Sequence, residues 1–253
     1  MTGDVRVEMS PVGPVVCPPG PAQAAEPVIL YLHGDRYLAG APESVLGLAG
    51  RLALRTGSVV VCARYRNAFP AALDDVQAGY GYSQAAGPVV VAGERLGAGL
   101  AAALLVRLRD AGAAMPRCAV LVSGLLDLTM RAPSLLLNGA ADVTFRVGEL
   151  RRQVARYAAG TPLADPLMSP LHANLHGLPP VQLLVAGNDV LLDDSLAFAA
   201  RAARSGVPVD LRVRPDAASL AAETLPAMAA FMAGAGPVSV AGVPAARDRT
   251  GKR

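Results

Sequence analysis

Six short apolar runs alternate with alanine- and leucine-rich segments along this chain, and that alternation restricts its fold more than any other feature. The runs are Pro27 to Leu32 (PVILYL), Ser58 to Ala63 (SVVVCA), Pro88 to Ala92 (PVVVA), Cys118 to Ser123 (CAVLVS), Val181 to Ala186 (VQLLVA) and Val209 to Val213 (VDLRV). Compact runs rich in valine, isoleucine and leucine are the pattern of strands buried on both faces. Between them, helical spacing predicts helices over Glu43 to Thr56, Ala71 to Gln84, Leu96 to Ala111, Val147 to Ala159, Ser195 to Ser205 and Ala222 to Ala233. Strand and helix in alternation imply an α/β fold with a mainly parallel sheet, right-handed crossovers and functional loops at the carboxyl ends of the strands.

A chain of 253 residues can bury a full core as one domain. Residues 1–234 are expected to form it, with a cap-like insertion at about 128–170, where the rhythm breaks. Residues 235–253, ending in RDRTGKR, are expected to be a disordered basic tail. Only 17% of residues are charged and 53% are hydrophobic, which excludes a disordered chain. The net charge of +3 comes from 23 basic and 20 acidic residues without a block of one sign, so nucleic acid is not an expected partner. Cys17, Cys62 and Cys118 lack the spacing of a zinc site or redox dithiol and read as buried thiols; no metal or cofactor is expected. The N-terminus MTGDVRVEMS is broken by charges where a signal peptide needs an apolar stretch, and the apolar runs are too short to span a bilayer. A cytoplasmic location without a membrane partner is the expectation, and a homo-oligomer is left open.

Several motifs follow one another in order: HGDRY at 33–37, Tyr65 and Arg66 with FPAALDD at 69–75, GERLGAG at 93–99, LDL at 126–128, DPLMSPL at 165–171, and LPPVQLLVAGNDVLLDD at 178–194. Together they resemble the hormone-sensitive-lipase branch of the α/β-hydrolases, a family of carboxylesterases. The resemblance covers most of the chain and implies an α/β-hydrolase fold with helices on both sheet faces. It also implies a reduced N-terminal cap, since the first strand is read as starting at Pro27.

In that family, the glycine-flanked elbow carries a nucleophilic serine, and a histidine after the last strand acts as base. Here the elbow position is Arg95, flanked by Glu94 and Leu96, and Ser219 stands nearest the histidine position. His172 and His176 lie before the preceding strand, and His33 belongs to the oxyanion-loop motif, so none is a natural substitute. Asp189 matches the acid, with Asn188 an alternative one residue earlier. The oxyanion loop reads His33, Gly34, Asp35, Arg36. Ser123 ends a different strand and is not taken as a relocated nucleophile. Arg66 and Asp75 read as a buried ion pair bracing a loop.

A guanidinium stays protonated and offers only donors, so Arg95 cannot replace a serine. At a helix N-terminus it can bind an anion, with Arg36, Gly34, Asp35, Glu94, Leu96 and Ser219 around it, or it can be locked by Asp189, Glu94 or Asp35. The expected function is therefore a non-hydrolytic protein that binds a small molecule carrying an anionic group, with cyclisation, elimination or epimerisation as its chemistry. A weak or atypical carboxylesterase, with water activated by Asp189 and the carbonyl polarised by Arg95, is the alternative. An inert pseudoenzyme or partner-binding protein is a further one.

Overall fold

A computed structural model of the chain describes residues 4–20, 26–34, 40–139 and 146–235. Two N-terminal strands, β1 (Arg6–Ser10) and β2 (Gly13–Cys17), form a hairpin that the sequence reading missed by starting the sheet at Pro27. The six anticipated runs become β3 (Val28–Leu32), β4 (Val60–Cys62), β5 (Val89–Glu94), β6 (Ala119–Val122), β7 (Val181–Ala186) and β8 (Val209–Arg214). They join one eight-stranded sheet in the order β1-β2-β4-β3-β5-β6-β7-β8. β1 to β2 and β2 to β4 are antiparallel; the other pairs are parallel.

The central strands are continuous apolar runs because helices cover them on both sides. On one face, α1 (Leu46–Thr56) and α7 (Ala217–Gly234) pack Leu52, Ala53, Ala227 and Met228 against Ile29, Tyr31, Val60 and Val120. On the other, α2 (Ala71–Ala86), α3 (Leu96–Asp110) and α6 (Leu192–Arg204) pack Leu73, Leu104, Leu105 and Phe198 against Leu30, Leu32, Val91 and Leu121. The insertion between β6 and β7 holds a one-turn helix, α4 (Ser134–Leu137), and α5 (Val147–Ala158), which buries Leu150, Val154 and Tyr157. Helix α7 is long and apolar enough to cross a membrane by length and composition, yet Leu220, Ala227, Met228 and Met232 are buried. It starts five residues before the sequence reading placed it because Asp216 caps it, accepting the Ser219 N–H at 2.8 Å.

Two sequence expectations are corrected by depth. Arg66 and Asp75 do pair, through Nε to Oδ2 at 2.8 Å and Nη2 to Oδ1 at 2.7 Å, but the Arg66 side chain is 66% exposed, so the pair is not buried. Cys62 and Cys118 are buried thiols, each pushed up to about 12 by burial, whereas Cys17 is only half-buried. The anticipated tail lies, from residue 236 on, outside the described residues.

Candidate active site

The carboxyl ends of β5 and β7 bring Arg95 and Asp189 together across 94 residues of sequence. Arg95 follows β5, caps the N-terminus of α3 and takes φ 52°, ψ −119°, a conformation that costs a non-glycine residue energy and persists only where the surroundings enforce it. Its backbone is held on both sides: its N–H donates to Val122 O at 3.1 Å, and its carbonyl accepts from Leu125 N at 3.0 Å and Gly99 N at 3.2 Å. A Cβ on Gly93 would strike Gly97, and one on Gly97 would strike the carbonyls of Leu32 and His33. The flanking glycines thus let helix and strand close to the distance a sharp elbow needs. Leu96, the first residue of α3, is buried at that turn.

Asp189 follows β7 in the turn before α6. Its Oδ1 accepts the Leu191 N–H at 3.0 Å and Arg95 Nη1 at 3.0 Å, and its Oδ2 accepts Arg95 Nη1 at 2.9 Å. The Asp189 side chain is only 7% exposed and that of Arg95 33%. Of the three carboxylates weighed as partners for Arg95, Asp189 is the one whose contact is defined. The exposed Asn188 makes no described hydrogen bond to Arg95.

Asn138, at the end of α4, donates Nδ2 to Asp189 O at 2.7 Å and to Gly187 O at 3.3 Å, fixing the acid turn from the insertion. Nothing in the sequence pointed to it. Asp194, in the first turn of α6, is buried, and its Oδ2 accepts the N–H groups of Leu126 and Asp127 at 2.9 and 3.0 Å. Burial raises this carboxyl to about 7, against the two N–H groups that favour its charge.

Gly34 packs directly on the elbow, where a Cβ would collide with Glu94 O. His33 stacks on Tyr65 with ring centroids 4.3 Å apart and the planes 8° from parallel, and the Tyr65 hydroxyl donates to the His33 carbonyl. Glu94 ends β5, beside the buried Tyr31, whose hydroxyl is raised first by burial and then by that carboxylate. Asp35 and Arg36 lie outside the described residues. The described hydrogen bond of Ser219 runs to its own helix cap, not to the Arg95–Asp189 pair. His172 pairs with Asp127 at 3.1 Å, and His176 N–H donates to Asn174. Ser123 is buried at φ 45°, and among the described residues its Oγ has no hydrogen-bond partner.

A family model described as alpha/beta hydrolase fold matches residues 29–218. The chain belongs to the α/β-hydrolase fold family. This α/β-hydrolase is 38% identical over 204 residues to an acetyl-hydrolase from Streptomyces hygroscopicus, a match spanning 78% of this chain and 68% of that protein. An esterase from Acinetobacter venetianus is 31% identical over 202 residues, 76% of this chain and 67% of the esterase. Among solved structures, a hormone-sensitive lipase from a metagenome library superposes with a TM-score of 0.85 at 29% identity, covering 92% of this chain and 84% of that one.

These relatives overturn the expectation of a non-hydrolytic ligand-binding protein, and with it the lyase, isomerase or cyclase reading and the inert pseudoenzyme. They are named hydrolases, esterases and lipases. The expectation let two side-chain identities, at 95 and 219, outweigh a domain that matches hydrolases along most of its length.

Proposed function

We propose that this α/β-hydrolase cleaves small carboxylic esters by direct attack of water, with Asp189 as base and Arg95 as the group that polarises the carbonyl. In this reading the triad implied by the family resemblance is degenerate, since Arg95 stands at the serine position and Ser219 nearest the histidine position. The observation that carries it is the Asp189 carboxylate held against the elbow residue at 2.9 and 3.0 Å.

The chemistry follows from the donors and acceptors present. Among the described residues Asp189 Oδ2 accepts only from Arg95, whereas Oδ1 also takes the Leu191 N–H, so Oδ2 retains a lone pair for water. Water adds to the ester carbonyl carbon as its proton passes to Oδ2. Charge grows on the carbonyl oxygen beside the guanidinium and the N-terminal turn of α3, both of which favour an anion. Collapse breaks the bond to the alkoxy oxygen, which takes the proton back from Asp189, releasing alcohol and acid. Without a covalent intermediate, turnover is expected to be modest, on the order of 10³-fold above the uncatalysed rate.

The test is hydrolysis of p-nitrophenyl acetate by wild type, Asp189→Asn and Arg95→Ala. Turnover by wild type above the enzyme-free rate, lost in both variants, is the expected result. Wild-type turnover equal to that of Asp189→Asn would remove Asp189 from the mechanism.

A further inference from the structure

The insertion between β6 and β7 presents a surface that the hydrolytic site does not use. Leu136 and Leu137, consecutive in α4, are 64% and 74% exposed, the third and first most exposed of the large apolar side chains described. Leu136 lines a cleft of about 660 Å³ whose other wall comes from the start of α5, including Arg146, Val147 and Arg152. Leu136, Arg146 and Arg152 therefore line one cleft, with Leu137 exposed beside it. The described part of this region, residues 130–139 and 146–160, holds Arg131, Arg146, Arg151, Arg152 and Arg156 against a single acid, Glu149; residues 140–145 add Asp142. Glu149 pairs with Arg152, and Arg131, Arg151 and Arg156 make no ion pair among the described residues. Helix α5 turns Leu150, Val154 and Tyr157 to the core, which leaves its arginines on the outer side.

Two protruding apolar side chains across a cleft from the exposed, arginine-bearing side of α5 fit an anionic lipid interface: the leucines enter the acyl boundary while the guanidinium groups sit among phosphate headgroups. We infer that this chain docks on anionic phospholipid surfaces through Leu136 and Leu137 of α4 and the arginines of α5. Charge complementarity selects lipid phosphate as the occupant, and the exposed leucine pair separates a lipid surface from a soluble phosphate. The docked face lies beside the reaction site, because Asn138, the residue after Leu137, holds the Asp189 turn. Docking stands apart from the hydrolytic reading, since adsorption requires no turnover.

The experiment is co-sedimentation of the full chain with vesicles of phosphatidylcholine containing about one-quarter phosphatidylglycerol, at about 0.1 M salt and again at several times that, where screening weakens surface charges. Binding to these vesicles, absent with pure phosphatidylcholine and weakened by salt, is expected. The triple variant Arg151→Glu, Arg152→Glu, Arg156→Glu is expected to lose at least on the order of 100-fold in partitioning, at about fivefold per cation removed, since each reversal also adds an anion. Leu136→Ser with Leu137→Ser is expected to lose several-fold while keeping the salt dependence. All five positions are exposed, so folded variants are expected, and circular dichroism checks them. The inference is overturned if wild type ignores the anionic vesicles, if it binds pure phosphatidylcholine equally, or if both variants bind as wild type does. The last result would assign adsorption to another basic stretch, such as residues 247–253. Hydrolysis of a dissolved p-nitrophenyl ester, measured alongside, reports separately on the catalytic reading.

Discussion

Arg95–Asp189, at the carboxyl end of the sheet, and Arg66–Asp75, at the start of α2, are both arginine–aspartate pairs, but geometry and depth run in opposite directions in them. Arg66 offers the better fork: Nε and Nη2 reach separate oxygens, and the backbone N–H of Arg66 adds a third bond to Asp75 at 2.9 Å. Arg95 reaches both Asp189 oxygens through one nitrogen. Yet Asp189 is nearly sealed while Asp75 is partly wet and Arg66 mostly so. Depth, more than bond count, decides what each pair contributes, because water competes freely for the exposed fork and far less for the Arg95–Asp189 pair. Asp194 extends the series: a buried carboxylate that relies on two backbone N–H groups with no arginine described on it.

The largest expected effect breaks the comparison at its functional end. Asp189→Asn keeps the shape of the turn but removes the base and the negative charge facing Arg95. Ester turnover is expected to fall by roughly 10² to 10³-fold, within the range for loss of a positioned general base. If hydrolysis of p-nitrophenyl acetate by the purified variant stays within a factor of a few of wild type, depth at this pair serves stability alone.

Asp194 tests what depth does without a cation. Its carboxyl is raised to about 7, above its unfolded value of about 4. Between those values the folded chain holds a proton that the unfolded chain has released, so stability falls as pH rises from about 4 towards 7 and levels off beyond. Asp194→Asn is expected to remove that slope, worth on the order of 4 kcal/mol, because the amide oxygen still accepts from Leu126 and Asp127 without carrying charge. Urea midpoints for both proteins across that range are the check; an unchanged slope in the variant would assign the dependence to another group.

Arg95→Ala leaves Asp189 deep and without its guanidinium. Unfolding free energy at neutral pH is expected to drop by roughly 2 kcal/mol, below the usual loss for a fully buried pair because Arg95 is one-third exposed. Relief of the strained φ at position 95 does not offset this, since alanine pays the same cost there. Chemical denaturation of Arg95→Ala and of the double variant with Asp189→Asn separates the pair's interaction from the loss of either side chain.

The sequence made the sheet legible and the depths of these carboxylates illegible. β3 to β8 fall within two residues of their apolar runs: β3 to β7 because burial on both faces leaves no alternative composition, and the partly exposed edge strand β8 through its alternating Val209, Leu211 and Val213. β1 escaped because Arg6, Val7, Glu8 and Met9 are exposed, so no apolar run marks it, and β2 carries only a short valine pair. The elbow was readable from Gly93, Gly97 and Gly99, and Asp189 from the GNDVLLDD turn. Asn138 and the burial of Asp194 were not, because their partners lie 49 to 68 residues away in sequence. Arg66 was misjudged for a related reason: its motif predicts a partner, which it has, but not whether the pair faces solvent.

The smallest expected effect sharpens the other end of the comparison. The Arg66 fork, chiefly through its side-chain hydrogen bonds, holds the Asp75 carboxyl below the usual carboxylate range. A depressed folded value contributes stability that is present above the unfolded value and lost as pH falls through the folded one. Arg66 is exposed enough for water and salt to replace most of what it supplies, so Arg66→Ala should leave the neutral-pH urea midpoint close to wild type, with its slight loss confined to pH above the carboxylate range and reduced by added salt. A loss as large as that from Arg95→Ala would show that Arg66 braces the segment leading into α2 through its backbone and fork together, and that exposure alone is a poor guide to which arginine–aspartate pairs matter in this sheet.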